Sequence, residues 1–280
     1  MRTGLVIEGG GMKCAFTSGI LDCLIKDGVR ADYVIGVSAG ASCGASYVLA
    51  HKGENIRGFL ETAGSKSVMG IHSFFRSGSF FDLGGIYESG VDAGYYQMLL
   101  DNPADITVVA TEARTGRPHY FTKADFSPDN CLVYEASSAI PVLCRPVMIS
   151  GTGYYDGGCS DPLPVRKALK DGCDRLIVAL CRPENFVMKP QKYRFVYSRV
   201  LRSYLGLVRS LDCRHMVYNE SLDLARRLAA GKRAFIFSPQ ENTSSMTYTK
   251  NQDKLKHLYC SAVRVYRSRR ADFHAFLEYS

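Results

Sequence analysis

The chain has 280 residues, 46% hydrophobic and 22% charged, with a formal net charge of +8. This is ordinary globular composition, and a chain of this length buries most of its unfolded surface, so it needs no disulfides to fold. No stretch approaches the ~18 uninterrupted apolar residues of a spanning helix, and Met1-Arg2-Thr3 leads into too short an apolar run for a secretion signal, so a soluble, cytoplasmic protein is expected.

Gly4 to Ile7 reads as a short buried strand that ends at Gly9-Gly10-Gly11. Lys13 to Lys26 has helical spacing, with Phe16, Ile20, Leu21 and Leu24 on one face, and Asp27-Gly28 stops it. Tyr33 to Val37 is a second strand, and Ser38 to Ala50, rich in Ala, Gly and Ser, a tightly packed helix. Val68 to Asp82 is irregular; its aromatic pairs Phe74-Phe75 and Phe80-Phe81, among Gly70 and Gly78, fit an acyl-chain channel, a lid or a plug in the core. Ile106 to Glu112 and Leu176 to Leu180 are further strands, with Pro164 to Lys170 as the helix leading into the latter. Ala234 to Phe237 is a fifth strand, and the rest beyond Lys192 is helical. Strands alternating with helices predict an α/β fold whose mostly parallel sheet is covered on both faces. With no repeat and no low-complexity linker, a single domain is expected over 1–280. Its catalytic core is about 1–182 and a more helical, basic part about 187–280.

Charge is unevenly spread: from Val187 to Ser280, Lys and Arg outnumber Asp and Glu by 11. Such a lobe suits an anionic membrane surface or is simply the solvated face of surface helices. No aromatic-interleaved basic motif or zinc-finger spacing points to nucleic acid. The ten cysteines include no C-x-x-C pair, and Cys23, Cys43 and Cys181 sit among aliphatic residues, so they read as small reduced core residues and not metal ligands.

Gly36-Val37-Ser38-Ala39-Gly40 matches G-x-S-x-G between a strand and a small-residue helix. A sharp strand-to-helix turn forces the serine into a strained backbone and exposes its hydroxyl above a helix N-terminus. Gly36 and Gly40 are needed because strand and helix nearly collide there. The alternative is a Gly-Ser-Gly turn with Ser38 as a helix cap. Glu8-Gly9-Gly10-Gly11-Met12-Lys13 follows the first strand, and successive backbone N–H groups there bind an anion. That anion is either a nucleotide phosphate or the oxyanion of an acyl-transfer intermediate. The dinucleotide fingerprint G-x-G-x-x-G fails at Cys14 and the phosphate-loop pattern is absent, so the nearby serine turn favours an oxyanion hole formed by Gly9, Gly10, Gly11 and Met12.

Asp156-Gly157-Gly158 offers a carboxylate in a second glycine-framed turn, suited to taking the proton of Ser38. None of the six histidines (His51, His72, His119, His215, His257 and His274) lies in such a turn, which favours a Ser–Asp dyad over a histidine-containing triad.

These blocks together resemble the patatin-like phospholipase family: Leu5 to Lys13, Gly36 to Gly40 and Asp156 to Gly158, in that order. Ala136-Ser137-Ser138-Ala139-Ile140-Pro141 is also similar to that family. The similarity spans about Gly4 to Leu180, and helical tails like the last third look like those of bacterial members. The resemblance implies a three-layer α/β/α sandwich and hydrolysis of lipid acyl esters without metal or cofactor. Ser38 would attack the ester carbonyl, Asp156 accept its proton, and the glycine-loop amides hold the oxyanion. The sequence departs from the family at Cys14, where glycine is usual; a small cysteine fits if that position opens the helix. Lys13 stands where arginine is common, a change of little consequence if it faces solvent. Two readings share these residues: an acyltransferase using the same nucleophile, and a non-catalytic lipid-binding protein at a membrane surface. Oligomeric state is left open.

Overall fold

The computed structural model describes residues 1–65, 82, 94–127 and 130–278. The aromatic segment from Val68 lies outside these residues, apart from Asp82. Among the described residues eight strands form one sheet: β1 (Thr3–Ile7), β2 (Tyr33–Val37), β3 (Asp105–Glu112), β4 (Pro118–Phe121), β5 (Val147–Ile149), β6 (Thr152–Asp156), β7 (Arg175–Ala179) and β8 (Ala234–Phe237). Their order is β5-β6-β3-β2-β1-β7-β8, with β4 also paired to β3. Neighbours from β3 through β2, β1 and β7 to β8 are parallel. β4, β5 and β6 form the antiparallel margin, which the sequence reading did not anticipate. The sheet is therefore mixed, with a parallel centre, in an α/β fold.

The strands β1 and β2 are buried along their whole length, and β7 is buried beyond Arg175, as strands covered on both faces must be. Side chains alternate between two cores: Leu5 and Ile7 of β1 enter one, and Val6 enters the other. The first core is closed by helices α1 (Cys14–Lys26), α2 (Ala39–Val48) and α9 (Gln252–Glu278). The second is closed by α6 (Val165–Lys170) and α8 (Leu205–Ala230), through Val165, Ala168, Tyr218, Leu222 and Ala225. A third cluster joins α8 and α7 (Arg194–Val200) to Tyr155 and Cys159 beside the end of β6.

This order fixes where chemistry can occur. Chain progress runs from β1 to β2 and β3 on one side, and from β7 to β8 on the other. The carboxyl ends of β1, β2 and β7 therefore meet where the winding reverses, the place where open α/β sheets bind ligands. The glycine loop, Ser38 and Arg182 follow those three strand ends. Among the described residues no helix is long and apolar enough to cross a membrane.

Candidate active site

Ser38 links β2 to α2 with φ 55° and ψ −132°, a left-handed backbone that costs a non-glycine residue about 1–3 kcal/mol. The turn survives because its surroundings leave it no alternative. A Cβ at Gly36 would lie 2.6 Å from Ala41 Cα, and one at Gly40 would lie 2.7 Å from the Glu8 carbonyl oxygen. The Ser38 N–H donates to Ser137 Oγ at 2.8 Å, and that hydroxyl donates to the Val109 carbonyl at 2.6 Å. Ser137 is fully buried on α5 (Leu132–Ser138). The elbow is thus tied to β3 across the sheet.

Asp156 ends β6, which pairs antiparallel with β3 at Ala110 and so brings a residue from far along the chain to the serine turn. Its Oδ1 accepts the Gly158 N–H at 2.7 Å, and the Ser38 hydroxyl is among the groups that favour its charged form. Burial is the largest influence and pushes the carboxyl above the usual carboxylate range. The Gly158 amide, the Ser38 hydroxyl and the guanidinium groups of Arg214 and Arg182 pull it back. Among the described residues no histidine is one of the groups that act most on it. His51 pairs with Glu54, His257 with Glu241 and His274 with Asp27, while His119 packs against Phe121 and Tyr154. His215 lies on α8 with its Nδ1 buried and unbonded, and His72 is outside the described residues.

The glycine loop is locked from below. Glu8 is fully buried, and its carboxylate accepts the Cys181 N–H at 2.6 Å, the Arg182 N–H at 3.2 Å and the Arg182 guanidinium. Arg182 Nη1 also donates to the Gly9 carbonyl at 3.2 Å. A trans peptide sends C=O and N–H in opposite directions, so this bond turns the Gly10 N–H away from Arg182. Among the described residues, the N–H groups of Gly9, Gly10 and Gly11 donate to no protein acceptor. Met12 departs from the expectation of four open donors: its N–H is taken by the Thr247 carbonyl at 3.1 Å. Gly11, at φ 59°, makes that approach possible, because a Cβ there would sit 2.7 Å from the same oxygen.

Cys14 has ordinary helical geometry, φ −66°, so the loop needs no glycine at that position. Lys13 does not face solvent; it is buried, and desolvation pulls its ammonium pKa down.

Glu8, Ser137, Arg182, Arg214 and Tyr248 belong to the site and were not singled out from sequence. Arg214, on α8, places Nη2 3.5 Å from where a Gly158 Cβ would lie, and Asp156 Oδ1 is 2.9 Å from the same point. Among the described residues Arg214 has no carboxylate partner, and its buried Nε has no hydrogen bond. Tyr248 senses the charges of both Asp156 and Arg214, although burial is what chiefly raises its phenol pKa. Signals for Glu8 and Ser137 lay inside the blocks already noted; nothing marked Arg214 or Tyr248.

A family model described as patatin-like phospholipase matches residues 5–169, and one described as a domain of unknown function matches residues 204–278. The uncharacterized protein YjjU of Escherichia coli K12 is 30% identical over 202 residues, covering 69% of this chain. The chain spans 56% of that relative's length. Among solved structures, VipD from Legionella pneumophila is similar at a TM-score of 0.41 and 13% identity, over 93% of this chain and 67% of that one.

Proposed function

The chain belongs to the patatin-like phospholipase family, and on that premise we propose that it hydrolyses lipid acyl esters with Ser38 as nucleophile and Asp156 as its base. The observation that carries this reading is the meeting of a strained serine with a half-buried carboxylate on which its hydroxyl acts. Asp156 takes the Ser38 proton as Oγ attacks the ester carbonyl. The resulting oxyanion is held by the open amides of the glycine loop. As the tetrahedral intermediate collapses, the alcohol leaves with the proton from Asp156, and an acyl-Ser38 ester remains. Asp156 then draws a proton from water, which attacks the acyl group, and the serine is regained with release of the fatty acid. Each donor of an oxyanion hole is worth about 100–1000-fold in rate.

The test uses purified protein with a short-chain p-nitrophenyl ester and a fluorophosphonate probe. Ser38→Ala and Asp156→Asn are each expected to reduce turnover by a factor of about 10⁴ or more, and the double variant to be no slower than the worse single, because the pair acts as a unit. Near-normal turnover in either folded variant ends the assignment. An unlabelled Ser38 in the wild type does so as well.

A further inference from the structure

Between Val187 and Leu205 the chain shows water an unusual set of large apolar groups. Tyr193 is 79% exposed, Phe195 78%, Val187 64% and Leu205 63%, and Val196 and Val200 are also exposed. Large apolar groups concentrated like this on a surface mark an interaction site. Interleaved with them are Lys189, Lys192, Arg194, Arg199 and Arg202, with no Asp or Glu in the stretch. Arg194 is tied to Asp212; the other four have no carboxylate partner among the described residues. Tyr193 holds a left-handed backbone, φ 60°, at the start of α7, so a strained residue is the one that projects its ring into solvent.

The inner side of the same segment is well packed. The Tyr197 hydroxyl donates to Asp212 at 2.5 Å, and Tyr197, Leu201 and Leu207 pack in one cluster with Tyr155 and Cys159. Those two residues bracket Asp156-Gly157-Gly158. Tyr204 stands edge-on to Tyr155, with ring centroids 5.9 Å apart. One side-chain layer thus separates the exposed patch from the aspartate turn.

We infer that the face formed by Val187 to Leu205 docks the protein onto an anionic lipid surface next to its active site. The occupant follows from the pattern. Aromatic and aliphatic side chains interleaved with cations are what an interfacial segment needs: rings and branched chains enter the headgroup boundary while Lys and Arg meet lipid phosphates. The function proposed above adds a reason, since an enzyme for lipid esters must meet its substrate at such a surface. The docking itself requires no turnover.

Binding is therefore measured on full-length Ser38→Ala protein by flotation with phosphatidylcholine vesicles, with and without phosphatidylglycerol. Binding should favour the anionic vesicles and weaken as salt shortens the reach of the charges. Phe195→Ser with Val196→Ser should lower the partition coefficient about tenfold or more. Lys192→Glu with Arg199→Glu should lower it about fivefold for each cation lost. In the wild-type background, both pairs should leave hydrolysis of a water-soluble ester unchanged. Equal binding to neutral and anionic vesicles, or binding that both pairs leave intact, overturns the inference. So does light scattering that finds a dimer dispersed by the Phe195 pair, which would assign the face to a second copy of the chain. Vesicle binding with a Ser38 inert to the probe would instead remove the hydrolase reading and leave the docking face standing.

Discussion

At the Ser38 turn the backbone bears the cost of the geometry: φ is 55°, and glycines on either side let strand and helix come within van der Waals contact. At the Asp156 turn the backbone is relaxed, with φ −45° and ψ 127°, and the cost is electrostatic, a carboxylate partly withdrawn from water. Ser38 is thus aimed by sterics, and Asp156 is tuned by burial and charge. The two turns should therefore fail in different ways when they are altered.

The sharpest contrast comes from Gly40→Ala. Its methyl would meet the Glu8 carbonyl oxygen at 2.7 Å and the Ile7 carbonyl oxygen at 3.0 Å, and neither can swing away because both belong to the main chain. We expect a loss of about 3 kcal/mol in denaturant unfolding, together with loss of fluorophosphonate labelling. A variant as stable as the wild type would mean that the turn is not sterically fixed. Ser137→Ala should act more gently. It removes the acceptor for the Ser38 amide and the donor to Val109, so about 1–3 kcal/mol of stability goes. Turnover should fall about tenfold as the hydroxyl loses its aim. Unchanged turnover would show that the elbow holds itself without β3.

How visible each turn was in the sequence follows the same division. Steric crowding leaves glycines behind, so Gly36, Gly40 and the Gly9–Gly11 loop could be read directly, as could the buried strands β1, β2, β3 and β7. The antiparallel margin could not. β5 has three residues and β6 opens on Thr152-Gly153, too short and too glycine-rich to show alternation. Burial of charge leaves no local mark either. Nothing in the sequence decided whether Lys13 faces solvent, and it is buried; Arg214 sat among other basic residues of a long helix. Met12 read as an open donor because its partner, Thr247, lies 235 positions away.

The electrostatic side of the contrast can be tested through pH. In the proposed dyad Asp156 must be ionised to accept the Ser38 proton, and burial disfavours that form while Arg214 favours it. Arg214→Met should raise the carboxyl pKa and so move the acid limb of the kcat/KM profile to higher pH. The loss should be greatest on the acid limb and disappear at high pH, where the carboxyl is ionised in both proteins. Arg214→Lys should keep the wild-type limb. A uniform loss at every pH would assign Arg214 to packing or substrate contact.

The smallest effect runs against the usual direction of mutation. Because burial holds the native carboxyl of Asp156 above its unfolded value, the folded state binds the proton more readily than the unfolded chain does. Stability contributed by this group therefore falls as pH rises from the unfolded carboxyl range toward the raised native value. Above that value the full penalty of a desolvated charge is present. Asp156→Asn keeps the oxygen that accepts the Gly158 N–H and removes the charge, so it should be more stable than the wild type at neutral pH. If the relief is about 1 kcal/mol, Tm rises by about 2–4 °C, and the gain should vanish at pH values below the unfolded carboxyl pKa. Scanning calorimetry at the two pH values checks both halves. A variant less stable at neutral pH would mean that the hydrogen bonds of Asp156 outweigh its desolvation, and that the two turns are held by contact alike.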